Sequence, residues 1–355
     1  MNRRRFLAAA GAASTAGLAG CLDALGFGRQ SSPYAPPLLE DRPSAVYYPT
    51  HVEGMKSFGM ASDGPYKCAL TYSYPHRFWL VTSNPDDPTN KVEIRSGDSI
   101  HVMPVVWHEE TGVVPPAANP QVTFALADGE ESAPSVSPWP MISQPMGVHF
   151  GDNVALPRNG DYTATVSVAF GATERTGVLA DAPDTAEFEF EFTYLKERVD
   201  TISYRTLDNA GERGAVDPMK MEMVPTAQLD APEDMRGSLY GTGTSGDATV
   251  PVLVVDSAAR FGGRESESYL VVSPRTPYNR FPLPMASVSA RASAEGEVVH
   301  DGPLTATLDP ELGYHYGAPV SEPPDSVEVS FDAPPQVARH EGYETAFLDM
   351  PTVSV

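Results

Sequence analysis

Two methionines and a histidine lie close together in a segment that prolines and glycines divide into turns. Met141, Met146 and His149 fall within nine residues of the segment 140–154. Thioether sulfur and imidazole nitrogen form a soft-to-borderline donor set, which suits copper or ferrous iron better than calcium or magnesium. Because glycine and proline mark turns, we expect a loop that enters a strand. The alternative is that both methionines pack beneath this loop and His149 makes a structural hydrogen bond.

A second pair of candidate ligands lies earlier in the chain. His51 and Glu53 are two residues apart, and residues i and i+2 of a strand point to the same face. This imidazole and carboxylate can therefore share one metal ion, although a surface histidine beside a solvated glutamate fits the pattern equally well. His76 and His108 have aromatic neighbours and are weaker candidates, because packing explains them at least as well.

The first 21 residues have the features of an export signal. Three consecutive arginines precede a short apolar run that ends in Leu-Ala-Gly-Cys at Cys21. A twin-arginine region before such a run is typical of export, and the last four residues resemble a lipobox, which implies cleavage before Cys21 and a lipid on its thiol. We therefore expect residues 1–21 to be a lipoprotein signal and residues 22–46 a flexible tether. The lipid would anchor the protein to the outer face of the cytoplasmic membrane.

The composition excludes several kinds of partner and site. The chain has 47 acidic and 24 basic residues and a formal net charge of −23. Nucleic acid is therefore excluded as a partner, since binding it requires basic patches, and the evenly spread acidity resembles that of secreted haloarchaeal proteins. Cys68 is the only cysteine besides Cys21, so we expect neither a structural disulfide nor a cysteine-based metal site.

Short alternating segments predict an all-β fold. Asp161–Val168 and Glu187–Phe192 alternate with a period of two, which is typical of strands with one wet face. The 35 prolines and 29 glycines leave little room for long helices. Many short strands at close spacing indicate β-sandwiches.

Motifs of the first half recur in the second. Gly147–Val154 and Gly313–Val320 share the pattern G-x-H-aromatic-G-x-x-V, and an alternating segment and then an arginine-bearing turn follow each of them. Such recurrence indicates duplication. We predict two immunoglobulin-like β-sandwich domains, at residues 47–207 and 247–355, joined by a linker at residues 208–246.

The order of the motifs resembles that of the periplasmic ferrous-iron transport family, whose members bind iron or copper. That family carries H-x-E near the mature start, then a Pro-Met loop, then G-x-H-aromatic-G-x-N, which match 51–53, 140–141 and 147–153 here. The resemblance implies an immunoglobulin-like β-sandwich, often dimeric, that works beside an iron permease. It also implies four metal ligands: His51, Glu53, Met141 and His149.

Two departures from the family pattern suggest a role for the second half. The acidic position three residues before the motif histidine is Met146 here, a softer donor, and no histidine between His149 and His300 supplies the family's further ligand. His340 lies at the corresponding position of the second half. We therefore hypothesise a pseudo-dimer in which the second half completes or supports the site of the first.

These observations favour a membrane-anchored binding protein that captures ferrous iron or copper for uptake by an iron permease. We do not expect an enzyme, because the sequence contains no G-x-S-x-G, no glycine-rich phosphate loop and no H-E-x-x-H motif. The alternative is a structural or adhesive cell-surface lipoprotein made of two immunoglobulin-like modules without a metal.

Overall fold

The structure is a computed structural model that describes residues 36–84, 86–129, 134–171 and 173–355. The predicted signal at residues 1–21, Cys21 and the first part of the predicted tether lie outside the described residues. Within the described ranges, no helix has the length and apolar character needed to cross a membrane.

Strands account for nearly all regular structure in the first half. The exception is α1, a helix of five residues at Lys196–Asp200, besides a 3₁₀ turn at Gly177–Leu179. The strands are β1 (His51–Glu53), β2 (Lys56–Asp63), β3 (Tyr66–Ser73), β4 (Phe78–Val81), β5 (Thr89–Val92), β6 (Ile100–His108), β7 (Asn119–Leu126), β8 (Ser135–Val136), β9 (Trp139–Ser143), β10 (Gly147–Val154), β11 (Gly160–Ala169), β12 (Glu174–Arg175), β13 (Thr185–Tyr194) and β14 (Tyr204–Thr206).

The second half is built in the same way, with 3₁₀ turns at Pro232–Asp234 and Ala259–Phe261. The all-β prediction is therefore confirmed. Its strands are β15 (Ser238–Ser245), β16 (Ala248–Val255), β17 (Ser268–Val272), β18 (Ser287–Ala294), β19 (Glu297–Pro303), β20 (Thr305–Asp309), β21 (Gly313–Val320), β22 (Ser326–Ala333), β23 (Ala338–Arg339) and β24 (Val353–Ser354).

Strand order shows the internal duplication directly. The large sheet of the first half runs β2-β3-β6-β10-β9-β23-β4-β5, and that of the second half runs β15-β16-β17-β21-β20-β12. The smaller sheets run β13-β11-β7-β8 and β24-β22-β18-β19. Each strand of the second sandwich thus has a counterpart at the same place in the first, and a separate pair, β1-β14, lies outside the four sheets.

Alternating side chains give each sandwich its core. In β13, Phe188 and Phe190 are buried whereas Glu187, Glu189 and Glu191 face outward, as the sequence pattern predicts. Phe190 belongs to one apolar cluster together with residues of β3, β6 and β11. The second sandwich has its own cluster, which also includes Ile142 and Val148 from the first half. The two halves therefore share apolar contacts.

The halves also exchange short strands. β23 of the second half pairs parallel with β9 and antiparallel with β4, inside the large sheet of the first half. In return, β12 of the first half pairs parallel with β20 at the edge of the second large sheet. This reciprocal exchange places residues from the end of the chain inside the first sandwich.

The domain limits differ from those predicted from the sequence. β15, at Ser238–Ser245, lies within the predicted linker, and it pairs with β16 as an edge strand. Its glycine, serine and threonine residues resemble a linker because an edge strand with little burial needs few apolar side chains. The end of the predicted tether belongs to the folded part, since Ala45 and Val46 are buried.

Candidate metal centre

Met141 and His149 are held side by side by the hairpin of β9 and β10. They are direct cross-strand partners, and both side chains are buried. Gly147 begins β10 with a φ of 69°, a left-handed conformation that glycine adopts without strain. Nδ1 of His149 lies 3.1 Å from the carbonyl oxygen of Gly147. Because a carbonyl oxygen only accepts, Nδ1 carries the proton, and Nε2 keeps the lone pair that a metal ligand needs.

His101 lies on β6, the neighbour of β10. Its cross-strand partner is Asn153, whose side-chain amide nitrogen donates to the carbonyl oxygen of His76 at 2.9 Å. This bond turns the amide oxygen of Asn153 toward Nδ1 of His101, also at 2.9 Å. Nδ1 therefore donates, and Nε2 of His101 keeps its lone pair, as Nε2 of His149 does.

His340 reaches the same place from the second half. It follows β23, in which Ala338 lies beside Met141. The backbone nitrogen of His340 donates to the carbonyl oxygen of Ile142 at 3.1 Å. The exchange of β23 between the halves is therefore what positions this imidazole, as the pseudo-dimer hypothesis requires.

Four imidazoles form one cluster, which we call the histidine cluster: His76, His101 and His149, which are buried, and His340, which is half-buried. One ligand nitrogen each from His76, His101 and His340 all lie within 4.8 Å of one another. The ring centroids of His149 and His340 are 5.4 Å apart, and those of His76 and His101 are 3.9 Å apart. Such spacing allows several imidazoles to bind one ion after small side-chain movements.

Gly151 leaves the space that this cluster surrounds. A Cβ atom at this position would lie 2.5 Å from Nε2 of His101 and 2.9 Å from Sδ of Met141. An imidazole nitrogen and a thioether sulfur thus face the same point above the strand. Met141 therefore belongs with the histidine cluster as a fifth potential ligand.

The imidazoles are neutral at physiological pH and have no partner for the nitrogens that face inward. Burial lowers the pKa of His101 to about 3 and that of His149 to about 4, and it holds the pKa of His76 and His340 well below the usual value. Among the described residues, Nε2 of all four histidines lacks a hydrogen-bond partner. Buried polar atoms are normally paired, so four unpaired Nε2 atoms in one cluster make this a candidate ligand site.

His51 and Glu53 lie at the edge of the cluster. They point to one face of β1, with His51 Nε2 at 3.2 Å from Glu53 Oε1. The other carboxylate oxygen of Glu53 lies 3.2 Å from His76 Nδ1 but outside hydrogen-bond geometry. Nδ1 of His51 lies 3.5 Å from Oε2 of Glu341. These two carboxylates place negative charge beside the neutral imidazoles, which favours a cation.

The remaining predicted residues lie outside the histidine cluster. Met146 lines an adjoining cavity of about 60 Å³ that His51, Glu53 and His340 also border. His108 lies at the other end of β6, where its Nδ1 is 3.2 Å from the hydroxyl oxygen of Thr111. His108, a weaker candidate from the sequence, is therefore not brought to the histidine cluster.

Sequence reasoning did not single out His101. All nine residues of β6 are buried, so the strand shows no alternation that could identify a functional face. A histidine at the start of an otherwise mostly apolar, fully buried strand was the available signal, because a buried imidazole needs partners. Asn153 and Glu341 were missed for a similar reason, since their roles depend on contacts that no local pattern contains.

The second half contains the counterpart of this site with different residues. Thr307 lies opposite His315 on β20 and β21, as Met141 lies opposite His149. Tyr269 takes the place of His101, and its hydroxyl lies 3.3 Å from Nε2 of His315 and 3.4 Å from the Thr307 hydroxyl. Thr176, the counterpart of His340, donates to Asp309 at 2.5 Å. The polar side chains of the second-half counterpart thus pair with one another through hydrogen bonds, whereas the Nε2 atoms of the histidine cluster have no partner among the described residues.

Comparison with known proteins gives matches over parts of the chain. Residues 233–355 match a family described as a domain of unknown function, DUF7350. No curated protein matches the chain. The chain is also similar to three solved structures of bacterial proteins over about two fifths of its length. One is a copper-bound Glu-to-Gln variant of FetP from uropathogenic Escherichia coli strain F11, with 15% identity and a TM-score of 0.31 over 40% of this chain and 92% of that chain. As-isolated FetP of the same strain has 15% identity and a TM-score of 0.30 over 41% of this chain and 96% of that chain. A copper-bound Glu-to-Gln variant of Campylobacter jejuni P19 has 16% identity and a TM-score of 0.30 over 40% of this chain and 98% of that chain.

Proposed function

We propose that this protein binds a copper or ferrous ion outside the cell and passes it to an iron permease in the membrane. One observation carries the metal-binding part of the proposal. Four clustered, neutral imidazoles leave their Nε2 atoms without a hydrogen-bond partner in the described part of the chain, and one ligand nitrogen each from His76, His101 and His340 lie within 4.8 Å of one another. Each buried nitrogen without a partner destabilises the fold by about 1–3 kcal/mol. A bound cation would remove this penalty because it would be a partner for each nitrogen.

The donor set favours copper over iron. Imidazole and thioether ligands suit copper, and copper(II) also binds nitrogen and sulfur sites more tightly than ferrous iron in the general order of divalent metals. The carboxylates of Glu53 and Glu341 at the edge of the cluster add the negative charge that a divalent ion needs. Glu53 is close enough to His76 to become a ligand itself.

Membrane attachment completes the proposal. The lipobox-like segment supports a lipid on Cys21, and the export signal supports a location outside the cytoplasmic membrane. The lipid would keep the metal site close to a permease. Replacing Cys21→Ala should release the protein from the membrane fraction of cells, whereas retention in that fraction would refute the anchor.

Metal titration tests the binding proposal. We expect the mature wild-type protein to bind one equivalent of Cu(II) at the histidine cluster, and His149→Ala to weaken this binding at least about 100-fold because one ligand is lost. His300→Ala is the matched control, because His300 lies on β19 and outside the cluster. If His149→Ala and His300→Ala bind Cu(II) as tightly as wild type, the proposal fails.

A further inference from the structure

Five methionines gather beside the histidine cluster, in a group that we call the methionine cluster: Met55, Met103, Met146, Met219 and Met221. The chain has 12 methionines, and these come from four separate segments. Neither the proposed function nor the histidine cluster accounts for this concentration. Methionine often fills irregular gaps in a core, so the surroundings of the five side chains decide between packing and binding.

Separate elements bring the methionines together. Met103 lies on β6, and its carbonyl oxygen accepts a hydrogen bond from the Thr71 hydroxyl at 2.9 Å. Met146 lies in the turn between β9 and β10. The backbone nitrogen of Met219 donates to the carbonyl oxygen of Pro145 at 2.7 Å, which fixes the segment that carries Met219 and Met221 against that turn.

The methionine cluster is part of an apolar group that also contains Val105 and Trp107, and four of its members border a cavity. Met55, Met103, Met146 and Met219 all line the cavity of about 60 Å³. That volume exceeds what a water molecule or a single ion needs. Thioethers are neutral, soft ligands that select Cu(I) over hard cations.

Exposure of the methionines falls step by step from the surface to this cavity. Met223 is 65% exposed, Met221 is partly buried and Met219 is 7% exposed. Met219 also lines an outer groove of about 600 Å³, together with Val52 and Pro145, which border both spaces. A turn at 222–223, where Met223 has a φ of 65°, ends the extended segment. The run from Met219 to Met223 therefore places thioethers from solvent to the cavity wall.

We propose that the thioethers of Met55, Met103, Met146 and Met219 form a second metal site that is selective for Cu(I). Met223 and Met221 provide the route by which the ion enters. His76 and His340 of the histidine cluster border the same cavity, but the proposed site uses sulfur ligands only, so the inference does not depend on the proposed function.

The test replaces sulfur without changing side-chain volume. The test uses the triple variant Met55→Leu/Met146→Leu/Met219→Leu and a control with leucine at three methionines that do not line the cavity, Met60, Met285 and Met350. Both are titrated with Cu(I) under anaerobic conditions against a chromophoric Cu(I) chelator. We expect wild type and the control to bind one equivalent of Cu(I) more than the triple variant. Cu(II) binding at the histidine cluster should be the same in all three proteins.

The result that overturns the inference is equal Cu(I) stoichiometry and affinity in the triple variant and the control. Thermal unfolding checks that both variants fold. If the triple variant does not fold, the single variant Met219→Leu is titrated instead. It should bind one of the Cu(I) ions at least tenfold more weakly than wild type, and unchanged affinity then overturns the inference. Failure of the histidine cluster is distinguishable, because it removes Cu(II) binding and leaves the difference in Cu(I) stoichiometry.

Discussion

Replacing Gly151 by alanine should abolish tight metal binding without removing any ligand. The added methyl carbon would lie 2.5 Å from Nε2 of His101 and 2.9 Å from Sδ of Met141. Ordinary contacts between non-bonded heavy atoms are about 3.5–4.0 Å, so both side chains must move by roughly 1 Å. Metal–ligand distances are held within about 0.2 Å. The displacement is several times larger than this tolerance, and we expect at least an approximately 100-fold loss of affinity, or about 2.7 kcal/mol.

The duplicated fold offers a matched control at Gly317. Gly317 occupies the same place in β21 as Gly151 in β10, and a Cβ there would lie 2.3 Å from the hydroxyl oxygen of Tyr269. Both glycine-to-alanine variants should lose about 1–3 kcal/mol of unfolding free energy from overpacking. Only Gly151→Ala should also lose affinity for Cu(II), as measured by competition with a chelator of known affinity.

Two outcomes would refute this reasoning. If Gly151→Ala binds Cu(II) as tightly as wild type, the ion does not lie between His101 and Met141. If Gly317→Ala loses as much affinity as Gly151→Ala, the loss reflects general destabilisation and not displaced ligands. Unfolding in urea in the absence of metal measures the stability of each variant independently of binding.

Two further predictions concern buried titratable groups. Burial lowers the pKa of His315 to about 4. Between pH 6.5 and 4 the unfolded chain therefore binds a proton that the folded chain excludes. Metal-free wild type should lose about 2 kcal/mol more unfolding free energy than His315→Asn when the pH falls from 7 to 5. Urea unfolding at both pH values measures this, and equal losses would contradict it. Burial also raises the pKa of the Cys68 thiol, so Cys68 should react with a thiol reagent at pH 8 only after unfolding; rapid reaction of the native protein would disprove this.

The strands and the duplication could be predicted because they depend on local pattern. Gly147–Val154 and Gly313–Val320, paired from sequence alone, are the exact bounds of β10 and β21. Turns marked by glycine and alternation in the following strand are local signals that survive duplication. The same signals did not show that the two copies have different chemistry, because that depends on Tyr269 and Thr176, which lie far from His315 in sequence.

The full set of candidate ligands could not be predicted because distant backbone pairing brings it together. His340 reaches the first sandwich only because Ala338 pairs with Met141, almost 200 residues earlier. His101 approaches His149 through the pairing of β6 with β10. The sequence named Met141, His149, His340 and, as a weaker candidate, His76, whereas the approach of His101 follows from sheet register.

Anomalous diffraction from crystals of the copper-loaded protein tests the metal site most directly. We expect a copper peak about 2 Å from Nε2 of His101, His149 and His340, which is the usual length of a bond between metal and imidazole, with Met141 Sδ as a further neighbour. A copper peak only at other histidines, such as His108 or His300, with the histidine cluster unchanged, would contradict it.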